Sequence, residues 1–134
     1  MVTSAPEMDA VQALADLTEI SSQVEAAVLF DANGEVAGST VSDEDAAALA
    51  RAAGDLLDRA ASLAEGHDVT QVEASTPAGS VFVVRDGSRR IAATTAADPT
   101  TGLVFYDLKS CLRDSGEETK PRRRRAPKKA ADEA

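Results

Sequence analysis

Two apolar runs with no polar break, Ala26-Ala27-Val28-Leu29-Phe30 and Val81-Phe82-Val83-Val84, constrain this chain more than any other feature. Each has the length of a strand. A strand that is apolar at every position must be covered on both sides, because successive side chains leave a sheet on opposite faces. Helices are therefore required on each face of whatever sheet these strands build. The 134 residues have room for one such unit, and the 43% apolar content supplies a core for it. That content is mostly Ala, Val and Leu, with three Phe, one Tyr and no Trp. Such a composition suits helices packed closely on a sheet better than an aromatic-lined cofactor pocket.

The required helices are legible as periodicity. From Asp9 onward, Ala10, Val11, Leu14, Leu17 and Ile20 recur at three- and four-residue spacing and predict a first amphipathic helix, ended by Ser21-Ser22. Val24 to Phe30 and Glu35 to Thr40 then read as two strands, joined where Asn33-Gly34 suits the positive φ of a tight hairpin. Ser42 is placed as the N-cap of the longest element, with Asp43, Glu44 and Asp45 in its first turn, where the helix dipole favours acids. This helix is predicted over Asp43 to Glu65, with Gly66 to stop it. Its apolar face comprises Leu49, Ala53, Leu56, Leu57, Ala60, Leu63 and Ala64. Val69 to Ser75, Ser80 to Arg85 and Arg89 to Thr95 form a meander across the turns Thr76-Pro77-Ala78-Gly79 and Asp86-Gly87. Within Leu103 to Arg113, Val104, Leu108, Cys111 and Leu112 fall at helical spacing and predict a third helix, although Leu103 to Tyr106 alone also reads as a strand.

This order of elements resembles that of the roadblock (dynein light chain) family over residues 9–114. Val28-Leu29-Phe30-Asp31-Ala32-Asn33-Gly34-Glu35-Val36 is similar to the family's first hairpin, and Gly79-Ser80-Val81-Phe82-Val83-Val84-Arg85-Asp86-Gly87 to its central one. The resemblance implies an α/β (α+β), profilin-like architecture of order α-β-β-α-β-β-β-α. A five-stranded antiparallel sheet would carry the long second helix on one face and the first and third helices on the other. Family members pair through the second helix and the third strand, which are Asp43 to Glu65 and Val69 to Ser75 in this chain. The dimers serve as platforms for small Ras-like GTPases or other signalling partners, and stand-alone actinobacterial members look most similar. On this basis the expected homodimer contacts are Ala50, Ala53, Gly54, Leu57, Ala60, Ala61, Val72 and Ala74. The small residues of the long helix have two readings: close approach of a second backbone, or a helix that sits low on its own sheet.

Nothing in the chain announces catalysis. His67 is the only histidine, with no second His or Cys at metal-ligand spacing, and reads as a loop residue. Cys111 lies among Val104, Leu108 and Leu112 and reads as core. No Gly-x-Ser-x-Gly elbow and no phosphate-cradling glycine loop occurs, so no enzyme activity, cofactor or metal is expected. A single cysteine excludes an internal disulfide, and Met1 to Met8 lacks the charge and apolar run of a signal peptide. A cytoplasmic protein is expected.

Charge divides the chain in two. Residues 1–116 carry 7 basic and 19 acidic side chains, giving −12, whereas residues 117–134 carry 7 basic and 4 acidic, giving +3. Residues 1–8 and 115–134 are expected to be disordered flanks of the domain, the second of them basic. Lys120, Arg122, Arg123, Arg124, Arg125, Lys128 and Lys129 offer phosphate contacts without aromatic residues for base stacking. A second expectation is therefore weak binding to nucleic acid or an anionic membrane through this tail, set beside the plainer role of a solubilising segment.

Overall fold

In the computed structural model, which describes residues 5–116 and the side chains of residues 10–115, the two apolar runs lie on either side of a shared central strand. In chain order the elements are α1 (Ala5–Ile20), β1 (Val24–Asp31), β2 (Val36–Ser39), α2 (Asp43–Leu63), β3 (Gln71–Thr76), β4 (Gly79–Asp86), β5 (Arg89–Thr95) and α3 (Thr101–Gly116). The strands form one antiparallel sheet of order β2-β1-β5-β4-β3, so β5 pairs on one side with β1 and on the other with β4. This leaves β2 and β3 as the sheet edges.

Alternation along the strands feeds two separate cores. Ala27, Leu29, Phe82, Val84, Ile91 and Ala93 face α1 and α3, meeting Leu14, Leu17, Val104, Leu108 and Leu112. On this side the Phe82 and Phe105 rings meet edge to face, with centroids 5.0 Å apart and planes 77° apart. The intervening residues Val28, Phe30, Val83 and Ala92 face α2, which meets them with Ala46, Ala50, Ala53 and Leu57. Both faces of the two runs are thus covered, as their lack of polar residues required.

Several sequence expectations shift on inspection. α1 begins at Ala5, four residues before Asp9 and inside the segment expected to be disordered, because Pro6 suits a helix's first turn, where its missing N–H costs no hydrogen bond. Val11 and Ile20, assigned to the buried face of α1, are 60% and 72% exposed, and Ala13 is buried instead. The inward stripe of α1 is narrower than the apolar spacing suggested. α3 is helical throughout, so the strand reading of Leu103 to Tyr106 falls away, and Asp107, outside the apolar set of this helix, is 8% exposed. The helix also runs past Asp114 to Gly116, beyond the expected domain boundary.

Local chemistry accounts for the turns. The Ser42 hydroxyl accepts from the Asp45 amide at 3.2 Å, capping α2 as expected. At its other end α2 stops two residues short of Glu65, because both Glu65 (φ 53°) and Gly66 (φ 92°) take left-handed backbone. The β1–β2 connection is not a two-residue hairpin on Asn33-Gly34. The Asp31 carboxylate accepts from the amides of Asn33 (2.9 Å) and Glu35 (3.0 Å), and only Gly34 takes positive φ. No helix among the described residues is long and apolar enough to cross a membrane. Residues 1–4 and the basic tail with its seven cations lie outside the described residues.

Candidate functional site

The residues with chemical potential are dispersed and ordinary in their surroundings. His67 lies exposed in the loop after α2, and Asp43, Glu44 and Asp45 are exposed on its first turn. Cys111 is buried, with its thiol donating to the Ala13 carbonyl at 3.4 Å. Burial, assisted by the negative charges of Asp114 and Asp16, pushes that thiol up to about 12. Thiolate chemistry at neutral pH is therefore suppressed at Cys111. Among the described residues no group of three or more His, Cys, Asp or Glu side chains is arranged to hold a metal ion.

What the fold does present is an incompletely covered apolar surface. An α-helix turns 100° per residue, so Ala46, Ala50, Ala53 and Leu57 share the face that meets the sheet. Leu49, Leu56 and Leu63 follow one another at spacings of seven residues and lie together on one flank of that face. Leu49 and Leu56 are half-buried against the α2-side core, with Val69, Val72 and Val81 beside them, and Leu63 is 83% exposed. This flank borders β3, which hydrogen-bonds to β4 along one side only. Half-buried aliphatic side chains therefore adjoin an open strand edge, and such an edge is a template for pairing with another chain.

The structure divides the contact residues expected from the sequence. Ala50, Ala53 and Leu57 are 2%, 0% and 4% exposed and pack against the chain's own sheet. For these positions the reading that holds is a helix sitting low on its sheet. Ala60 is half-buried on the flank toward β3, and Val72 and Ala74 are half-buried on β3 itself. Gly54 lies on the opposite flank. It lines a groove with Asp31, Asn33, Gly34 and Arg90, and a Cβ placed on it would meet nothing within 4 Å. Ala61, seven residues on, shares Gly54's flank and is exposed.

Leu49, Leu56 and Leu63 are the surface residues that sequence reasoning assigned to the core. A signal for them was present: together with the inward alanines they make the apolar stripe of α2 wider than one sheet can cover.

Comparison with solved structures places this geometry. A crystal structure of a Roadblock/LC7 domain from Streptomyces avermitilis superposes with a TM-score of 0.68 at 21% identity, over 78% of this chain and 92% of that one. An MglB with a tetrameric arrangement gives a TM-score of 0.72 at 16% identity, over 86% and 93%. The gliding protein MglB of Thermus thermophilus gives 0.66 at 16% identity, over 84% and 89%. No family model and no curated protein matches the sequence. At these identities the likeness is one of architecture. The chain has the roadblock/LC7 fold, with its three helices and five antiparallel strands in the order α-β-β-α-β-β-β-α.

Proposed function

We propose that this protein is a non-catalytic regulatory adaptor that pairs with a second copy through α2 and β3 and presents the joined surface to a signalling partner, foremost a small Ras-like GTPase. The observation that carries the reading is the flank of Leu49, Leu56 and Leu63 beside the open edge of β3. An isologous pair would set this flank against itself and extend two sheets across their β3 edges, removing apolar area from water and satisfying the free backbone groups together. The roadblock architecture supports the same mode of pairing, and the GTPase partner is what resemblance to that family implies. Solution mass is the first test: twice the 13.9 kDa of the chain is expected at tens of micromolar. A monomer at that concentration overturns the pairing. The second test mixes the purified protein with the Ras-like GTPase encoded nearest its gene, with a change in GTP hydrolysis or nucleotide exchange expected.

A second reading rests on the segregation of charge, −12 in residues 1–116 against +3 in residues 117–134. Polyanion contact would fall to the tail, and seven cations on duplex phosphates give a log-log salt slope no steeper than about −6. Full affinity in a variant with Arg122 to Arg125 replaced by Ser would exclude it.

A further inference from the structure

Three arginines stand at the end of the sheet where β4 turns into β5, and two of them are satisfied. Arg89 donates with both terminal nitrogens to the Leu112 carbonyl at 2.8 Å. Arg85 donates to the Val69 carbonyl at 3.1 Å and approaches the Asp68 carboxylate at 3.9 Å. Arg90 has no such partner. It sits opposite Phe30 of β1, whose ring enters the α2-side core, so Arg90 also leaves the sheet on the α2 face. The residue is half-buried, its Nε is sealed from water without an acceptor, and it makes no hydrogen bond or ion pair with any described residue. Its other cross-strand neighbour is Arg85, a like charge that offers no compensation. Buried N–H donors are nearly all paired, and leaving one unpaired on a charged group is costly.

Arg90 lines a groove of about 670 Å³ between the β1–β2 turn and the flank of α2 that faces away from β3. That volume is in the range of ligand sites. Ala32 and Gly34 on one wall and Ala48, Ala52 and Gly54 on the other leave the backbone of both walls approachable, and a Cβ added to Gly34 or Gly54 would meet nothing within 4 Å. Asp55 and Asp58 stand exposed on the helical wall with Arg51 beside them, and Asp31 already accepts from the amides of Asn33 and Glu35. We propose that this groove takes a short segment of a partner protein, with one aspartate or glutamate carboxylate paired to Arg90 and a basic residue next to it facing Asp55 and Asp58. A planar carboxylate matches the guanidinium fork and supplies the acceptor that Nε lacks. The acids of the helical wall attract a neighbouring cation and repel phosphate or a polyanion, so the order of charge selects an acid flanked by bases. The small walls admit the main chain that carries both. This site lies on the flank of α2 opposite the one assigned to pairing and does not depend on that pairing.

Titration of the full chain with an end-blocked peptide, Gly-Lys-Gly-Asp-Gly-Lys-Gly, tests this by nuclear magnetic resonance. The amides of Asn33, Gly34 and Gly54 and the side-chain Nε–H of Arg90 should shift together and saturate. The same peptide with Asn in place of Asp should bind at least about tenfold more weakly, and so should the native peptide to Arg90→Gln. Gly54→Gln, which extends a side chain into the groove without touching Arg90, should lose binding by a similar factor. Inorganic phosphate should leave the four resonances still. Denaturant unfolding separates this role from a structural one: Arg90→Gln removes an unpaired charge and should unfold at the same or a higher denaturant concentration than the native chain. A lower midpoint makes Arg90 a structural residue and overturns the proposal. It is also overturned if no shift saturates, if the Asp and Asn peptides bind equally, or if binding survives in Arg90→Gln. Phosphate that displaces the peptide would show a general anion site and overturn the assignment to a protein segment.

Discussion

The two faces of the sheet are filled with different side chains. Toward α1 and α3 the core is bulky: Leu14, Leu17, Phe82, Ile91, Leu108 and Leu112 interdigitate across the gap between helices and strands. Toward α2 four of the eight buried residues are alanines, Ala46, Ala50, Ala53 and Ala92. Bulky side chains hold two helices off the sheet and fill the space between all the layers. Alanines instead let a single helix lie close, and a helix that lies close on one narrow face leaves its flanks less covered. Leu49, Leu56 and Leu63 are the residue of that geometry. The two faces thus differ in how they are filled, with bulky side chains on one and small ones on the other.

The strongest way to break this contrast is through Phe82, which is fully buried and packed against Phe105. Phe82→Ala should cost about 3–5 kcal/mol in denaturant unfolding, with the cavity adding to the lost transfer energy. A loss under about 1 kcal/mol would show that the bulky face is not where stability resides. Ala53→Leu tests the other face from inside. At 0% exposure there is no room for the added carbons, so a loss of about 1–3 kcal/mol is expected, equal at low and high protein concentration. A loss that appeared only on dilution would put Ala53 in an interface after all.

Leu63→Asp sharpens the same contrast from outside. This residue is 83% exposed, so the single chain should unfold within about 0.5 kcal/mol of the native value. Sedimentation should show the pair dissociating at about tenfold lower affinity or worse. Unchanged pairing would remove this flank from the interface. Gly54→Ala has the smallest expected effect. With nothing within 4 Å of the added Cβ, the helix should gain about 1 kcal/mol and pairing should be unaffected. Weakened pairing would move the interface to the groove beside Gly34 and Arg90.

Sequence alone determined the layered architecture, because local rules sufficed for it. Unbroken apolar runs demand cover on both faces, helical spacing supplies that cover, and Ser42 and Gly66 punctuate the longest element through backbone chemistry that needs no distant partner. Arg89–Thr95 matches its predicted strand at both ends, and Val104, Leu108, Cys111 and Leu112 are all buried as their spacing required. Local rules were insufficient wherever the answer depended on the width of a contact. Spacing identified Val11, Ile20, Leu56 and Leu63 as apolar positions on their helices, yet could not say where the neighbouring layer ends, and each lies beyond or at that limit. Spacing likewise left open whether Ala50, Ala53 and Leu57 meet their own sheet or a second copy, and in the fold they lie on the sheet. Whether a small residue meets its own sheet or another molecule depends on which way the helix is turned and how closely it lies. Only the packing of the completed tertiary structure fixes those two quantities, because they follow from the side chains of both layers at once.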